Sequence, residues 1–482
     1  MPVKRQYYFG LLLAIGCCQY VLAQTAPAFH DTSASITGHP TMTHDSTFKV
    51  RNIVIQGNKK TRPNIILREI PFHPGENYLL QELVKKFDDA RRNLMNTTLF
   101  HEVVVALKSF DGYDIDVLVI VKERWYLFPL PYFKPVDRNI NQWIVEQKAS
   151  LSRVNYGAKV LYYNATGRND KLKLYLITGY TRQFSISYDR LYIDKKMKWG
   201  LNTSIATGKN KEMNYNTIND KQAFLKDERF LRSFFNTSAE LTYRRAIKTR
   251  HRFGIGYTNE NVSDTVVKLN PAYFPGSNTR ISFPEVYYIM SYNNFDYFPY
   301  PTKGYGAELA FNKKGFGGPI NVWQVSARGG AAWPTGSKSF VSMIAYGNIK
   351  LPFKQPYYTQ RLLGYGEAFL QGYEYYVIDG VAAAYLKTAF TRRIIKFDIR
   401  VPGFKKIAPQ RIPFAIYAKV YGNTGYVHNP NPGENTLSNK MLYSGGLGID
   451  IFTFYDFTLK FEWSFNQIGQ NGLFLHSRKS FF

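Results

Sequence analysis

The sequence predicts a mainly β protein: a transmembrane antiparallel β-barrel of about 16 strands preceded by one small β-α-α-β-β domain. Three observations point there. The 482 residues include 37 Tyr, 36 Phe and 36 Gly, yet contain no run of about 20 apolar residues of the kind a membrane-crossing helix needs. From about residue 140 onward, segments of roughly ten residues alternate apolar with polar, the period of a strand with two unlike faces. Before them lies a short stretch with helical periodicity. A mean hydropathy of −0.30 suits such a barrel, because half of every strand faces water.

The elements follow in order. Lys4 and Arg5, an apolar stretch at residues 11–15 and the small-residue site Val21-Leu22-Ala23 form a secretory signal, residues 1–23, cleaved after Ala23. A lipoprotein site at Cys17 is the weaker alternative, since Ala14-Ile15-Gly16 matches it poorly. The two cysteines, Cys17 and Cys18, leave with the signal, so no disulfide scaffold is possible. Residues 24–46 read as a flexible linker rich in Ser, Thr and Pro. Its His30, His39 and His44 lack the rigid frame a metal site requires.

Residues 47–126 form the small domain. The β-prone run 48–55 ends at Gly57-Asn58, a turn signal, and Thr61 is placed to cap a short helix with Pro63 in its first turn. Leu79, Leu83, Phe87, Ala90 and Leu94 share one helical face, with Glu82/Lys86 and Asp88/Arg92 as i,i+4 pairs on the other. Strands at 101–108 and 113–122 complete a three-stranded sheet.

The barrel is assigned to residues 140–482. Its clearest strand interleaves Phe457, Leu459, Phe461, Trp463 and Phe465 with Thr458, Lys460, Glu462, Ser464 and Asn466. Other strands lie at 171–180, 184–190, 235–245, 305–311, 340–348 and 414–421, with loops at 209–228, 259–278, 352–380 and 428–440. A soluble sandwich would need several cores and linkers between them, and none is visible. The net charge of +27 is spread along the chain, and the secretory signal argues against nucleic acid. Attraction to anionic lipid or to a substrate and plain surface repulsion explain the charge equally well. No Walker loop, Gly-x-Ser-x-Gly or His-Glu-x-x-His occurs. Asp114 and Asp116 read as the solvated side of a strand. No enzymatic activity, cofactor or metal is expected.

One module of this order before a barrel of this size resembles the BamA/TamA superfamily of outer-membrane assembly and translocation barrels, as a single-POTRA member. Val54-Ile55-Gln56-Gly57-Asn58, Thr61, Ile66 and Arg68-Glu69 resemble the opening of a POTRA domain. Asn96-Thr97-Thr98-Leu99-Phe100 and Val121-Lys122-Glu123-Arg124 resemble its later part. In the family a long loop folds inward and ends in Arg-Gly-aromatic, and the matching stretch here is Gln371-Gly372-Tyr373. The family's acidic partner of that Arg is matched by Asn423 in Tyr421-Gly422-Asn423-Thr424-Gly425. Both members are neutral here, so the expectation is a latch between Gln371 and Asn423, with residue 423 on the lumenal face. Asn294-Phe295-Asp296 with Pro301, Gly304 and Gly306 resembles the family's mid-barrel turn. Phe461, Trp463, Phe465 and the terminal Phe482 resemble the strand signal by which such barrels are recognised.

The resemblance implies an outer-membrane location in a Gram-negative-type bacterium, with the POTRA domain in the periplasm. It implies assistance to insertion and assembly of outer-membrane proteins, through strand addition at a lateral seam near residues 150–160 and the C-terminus and at the POTRA edge. The alternatives are a dedicated translocation or secretion pore, or a passive structural barrel. The implied partners are outer-membrane lipid, unfolded β-barrel or secreted clients and accessory lipoproteins.

Overall fold

The computed structural model describes residues 47–135, 148, 151, 154–366, 368–400 and 411–478. The signal segment 1–23, the linker 24–46, Ser150 and the terminal Phe482 lie outside them. In the small domain, β1 (Thr47–Gln56) ends at Gly57, whose φ is +88°. A Cβ there would lie 2.0 Å from the Val121 carbonyl oxygen, so both the conformation and the close approach require glycine. Helix α1 (Pro63–Leu67) carries Pro63 in its first turn, but Arg62 holds the cap position without a side-chain bond. Thr61 is therefore no cap, and its hydroxyl is engaged at the site below. Next come β2 (Asn77–Leu79), α2 (Leu80–Asn96), β3 (Phe100–Asp111) and β4 (Asp114–Glu123).

The sheet order is β2-β1-β4-β3, with β1 and β4 parallel. It has four strands where three were expected, because three residues of β2 are too few to show alternation. Ile115, Val117, Val119 and Val121 are buried against Leu83, Ala90 and Leu94. Leu79 stands apart at 38% exposed, since it ends β2 before the helix begins. The expected pairs on α2 give way to nearer partners. Lys86 reaches the Pro71 carbonyl at 3.1 Å, and Arg92 turns back to Asp89. Asp116 is held by Arg51 at 2.8 Å and receives Ser109 at 2.9 Å, a structural role.

The large sheet has sixteen antiparallel strands. It opens with β5 (Leu127–Pro135), β6 (Val154–Tyr163), β7 (Lys171–Gly179), β8 (Thr181–Tyr192) and β9 (Trp199–Asn210). A hairpin of β10 (Glu212–Ile218) and β11 (Lys221–Lys226) stands aside from it. The sheet resumes with β12 (Arg232–Tyr243), β13 (Thr249–Val262), β14 (Arg280–Phe295), β15 (Gly304–Lys314), β16 (Val322–Pro334) and β17 (Ser339–Leu351). A second excursion carries β18 (Arg361–Leu363) and β19 (Ile378–Asp379). Then β20 (Ala382–Arg400), β21 (Arg411–His428), β22 (Met441–Phe452), β23 (Thr458–Asn466) and β24 (Asn471–Arg478) complete it. Pairing follows chain order, so β5 and β24 stand at the two ends.

The sheet thus begins at Leu127, ahead of residue 140, and the strand expected first, near 150–160, is the second. Pro129, Pro131 and Pro135 hide β5 from a propensity reading, because proline lacks the ladder's N–H donor.

Alternation sorts the two faces as the sequence indicates. On β23, Phe461, Trp463 and Phe465 are 37%, 49% and 51% exposed, whereas Glu462 and Ser464 are buried. On β21, Lys419, Tyr421 and Asn423 are buried and Val420 is exposed. One face is an apolar belt. Part of the opposite, polar face is covered by the excursion between β17 and β20.

Candidate functional site

The described residues from Thr47 onward hold together as one unit, and two clusters in it concentrate polar chemistry. The first lies where the inward excursion meets β21 to β24. Gly372 has φ +92°, and a Cβ on it would stand 3.1 Å from the Ser444 side chain and 3.2 Å from the Phe465 carbonyl oxygen. Glycine therefore lets the tip lie flat on β22 and β23. Asn466 donates to the Gly372 carbonyl at 2.7 Å, and Tyr373 donates its hydroxyl to the Tyr443 carbonyl at 3.0 Å. Tyr376 reaches Gln470 at 2.7 Å. Six bonded or ionic contacts beneath the tip join four strands. Lys419 lies 2.6 Å from both Asp450 and Glu462, Tyr300 donates to Asp450 at 3.0 Å, and His476 Nδ1 lies 2.6 Å from Glu462. His476 Nε2 is 3.6 Å from Glu374, and Gln371 donates to Glu462 at 2.8 Å.

Gln371 and Asn423 both face this cluster but make separate bonds: Asn423 donates to Ser444 at 3.1 Å. The partner of Gln371 is Glu462. A carboxylate already shared by a lysine and a histidine is a stronger acceptor than an amide oxygen. Glu462 gave no separate signal in the sequence, because it falls in phase on the polar face of β23 with Thr458, Lys460 and Ser464.

The second cluster joins the small domain to the turns at one end of the sheet. Arg124 donates to Asp456 at 2.6 and 3.1 Å, to the Phe100 carbonyl at 2.9 Å and to the Tyr297 hydroxyl at 3.2 Å. Burial works against the Arg124 charge, but the bonds and field of Asp456 outweigh it and raise its pKa. Glu69 accepts both Arg244 terminal nitrogens, at 2.6 and 2.5 Å. Burial would raise the Glu69 pKa, yet Arg244, with Arg68 and Arg250 beyond, holds it below its ordinary value. Asn164 donates to the Thr61 hydroxyl at 2.9 Å, which also lies 3.2 Å from the Tyr126 hydroxyl. The Lys60 and Thr61 amides donate to Glu123, at 3.0 and 2.6 Å, and Asn58 donates to the Thr61 carbonyl at 3.1 Å. Asn96 closes a further contact with Phe295 and Phe298 at 3.2 and 2.8 Å. Leu99 and Phe100 are buried in the adjoining core.

The residues singled out as a domain signature thus split into two groups. Gly57 and Asn58 shape the domain itself, while Thr61 and Arg124 fasten it to the sheet. Their partners Asn164 and Asp456 gave no sequence signal, since each sits in a short turn, and Arg244, the partner of Glu69, lies just past the end of β12, where the expected strand 235–245 stops short. Asp296 folds its own turn by accepting the Thr302 and Lys303 amides at 3.0 and 3.1 Å. Among the described residues no group of three or more His, Cys, Asp or Glu could hold a metal ion.

His101 lies in the same junction, edge-on to the Tyr455 ring at 5.1 Å. Burial, then Arg124 and Lys122, push its pKa from 6.5 down to about 4. The unfolded chain therefore takes up this proton more readily than the folded one. The residue's contribution is intact above about pH 6.5 and is lost as pH falls toward 4. Melting at pH 7 and pH 5 should show the junction weakening in acid, and His101→Phe should flatten that difference. An equal pH response in both proteins would contradict this.

Residues 48–124 match a family model described as POTRA, surface antigen variable number repeat. The outer membrane protein assembly factor BamA of Neorickettsia risticii (strain Illinois) is 29% identical over 123 residues. Those residues are 25% of this chain and only 16% of that relative. Among solved structures, CdiB from Escherichia coli superposes with a TM-score of 0.52 at 10% identity, covering 89% of this chain and 75% of that one. BamA from Haemophilus ducreyi lacking POTRA domains 1-3 gives 0.48 at 16% identity, covering 90% and 84%. Residues 48–124 thus match the POTRA family by sequence, and the chain shares its fold with CdiB.

Proposed function

We propose that β5 and β24 close the sixteen strands into a barrel, and that the chain assists insertion and assembly of outer-membrane proteins. Client strands would add at that seam and along the POTRA edge. Closure is supported by contacts between distant parts of the sheet. Phe128 on β5 meets the ring of Tyr455, in the turn between β22 and β23, at 5.4 Å. The one POTRA domain is gripped by turns that follow β6, β12, β14 and β22.

The observation that carries the seam reading is the proline spacing in β5. Successive residues of a strand direct their N–H and C=O groups to opposite neighbours. Pro129, Pro131 and Pro135 share one parity, and a proline has no N–H with which to enter a hydrogen-bonded pair with β6. That parity therefore faces β24, where three of the five positions in β5 offer carbonyls without donors. A seam so short of donors opens easily and accepts an incoming strand's N–H groups. At the POTRA domain, β3 is a sheet edge, with Val104, Leu107 and Phe110 exposed, and it suits capture of extended chain. Gln371, Gly372 and Tyr373 act as the latch of the inward segment, anchored by Glu462. Outer-membrane lipid surrounds the belt, and unfolded clients and accessory lipoproteins are the partners.

Pro129→Val with Pro131→Val restores two donors. The variant should resist heat unfolding of the barrel better than the parent and support less outer-membrane protein assembly after depletion of the native chain. Unchanged assembly with a tighter barrel would remove the seam from the mechanism. Depletion itself discriminates further: loss of one secreted client favours a dedicated pore, and loss of nothing favours a passive barrel.

A further inference from the structure

A cavity of about 850 Å³ lies between the POTRA helix α2 and the adjoining ends of the strands. Lys171, at the start of β7, Arg190, near the end of β8, and Arg250, at the start of β13, line it together. These cations act on one another, with Lys171 in the field of both Arg190 and Arg250 and Arg250 in that of Arg190. The carboxylates nearby are engaged by other cations. Glu69 is held by Arg244, Asp456 by Arg124 and Glu308 by Arg252. Asp189, opposite Lys171 on the ladder, is held by Lys173 at 2.7 Å. Arg190 donates to Asn169 at 2.9 Å, which satisfies a donor without neutralising charge. Like charges gathered in a walled cleft focus a positive potential and draw in an anion.

We propose that this cavity binds an extended polypeptide segment through its acidic side chains. Phe128, Leu161 and Tyr163 share the walls with the cations, so the lining offers apolar and positive surfaces side by side. A strand presents its residues alternately to two sides and can place carboxylates on one surface and apolar groups on the other. Thr98 and Arg124 also line the cavity, next to the start of β3, so a segment added along the POTRA edge leads into it. A phospholipid carries similar charge, but the wall toward the bilayer is the bonded ladder of β5 to β8, which leaves no apolar medium for acyl chains. The client-handling reading supplies the source of the peptide; the preference for anions stands without it.

The test uses the full chain in detergent micelles and a labelled ten-residue peptide alternating Asp with Val or Phe. The expected result is binding roughly tenfold tighter than for the Asn-for-Asp peptide, the scale of a single charge-assisted contact, and weaker with rising salt. The combined variant Lys171→Gln, Arg190→Gln, Arg250→Gln should lose that tenfold preference. Its heat-modifiable gel mobility should stay native, because removing mutual repulsion does not unfold a barrel. Equal binding of both peptides, or an unaltered preference in the triple variant, overturns the proposal. Displacement of the peptide by inorganic phosphate or by phosphatidylglycerol in the micelle, at equal charge concentration, also overturns it in favour of a different anion. If acidic-peptide binding holds while depletion leaves other outer-membrane proteins intact, the assembly reading fails and the site remains.

Discussion

Replacing Arg124 with leucine should loosen the POTRA domain from the end of the sheet. The guanidinium is buried and makes bonds to Asp456, Tyr297 and the Phe100 carbonyl, so the substitution leaves a carboxylate at the junction facing an apolar side chain. Breaking a buried ion pair from one side costs about 3–5 kcal/mol, more than any of the neutral contacts at this interface contributes. Glu69–Arg244 and Asn96 hold other corners of the domain. The expected result is therefore release at the Arg124 corner with the large sheet intact. Limited proteolysis should cut near residues 124–127 in the variant and spare the parent, and the heat-modifiable gel mobility should not change. Arg124→Leu combined with Asp456→Leu should recover much of the loss, since no charge is then stranded, and the shortfall from additivity measures the pair. A single variant as protease-resistant as the parent would show that the pair does not hold the domain in place.

Legibility of the fold followed the length of each periodic signal. Strands such as β23, with four apolar residues at alternate positions, and helix α2, with three turns of apolar spacing from Leu83 to Leu94, declare themselves because burial acts on many residues in phase. β2 and β5 do not. The first is three residues long, and the second carries prolines that break strand propensity while suiting an edge. The same prolines that concealed β5 carry the seam proposal, so the local departure from the sheet pattern coincides with the position proposed to act. Site residues were legible where a motif lies along one segment, as in Gln371-Gly372-Tyr373 or Glu123-Arg124. Their partners come from strands and turns far away in sequence, 91 residues for Gln371 and Glu462 and 332 for Arg124 and Asp456. Asp456, Arg244 and Glu462 have nothing local to announce them, because register alone brings them into place.

Register is also what makes Glu462 the residue on which the inward segment depends. Its carboxylate receives Gln371 from the segment, Lys419 from β21 and His476 from β24. One side chain thus links the tip to two strands at once, which an Asn423 amide bonded to Ser444 does not. Glu462→Leu removes an acceptor that a charged group supplies at about 1.5–3 kcal/mol per bond. Lys419 keeps Asp450, so the variant should fold. In planar bilayers the parent should pass small, flickering currents, and Glu462→Leu should pass larger and steadier ones as the segment leaves its seat. Gln371→Ala should have a smaller effect in the same direction, because Asn466 and Tyr373 still hold the backbone and ring of the tip. Asn423→Ala should have the least, since its bond to Ser444 lies between neighbouring strands and leaves the segment untouched. The order of the three conductances decides the matter. If Asn423→Ala opens the pore as far as Glu462→Leu does, the amide at the family position is the true latch and the carboxylate only shapes the lumen around it.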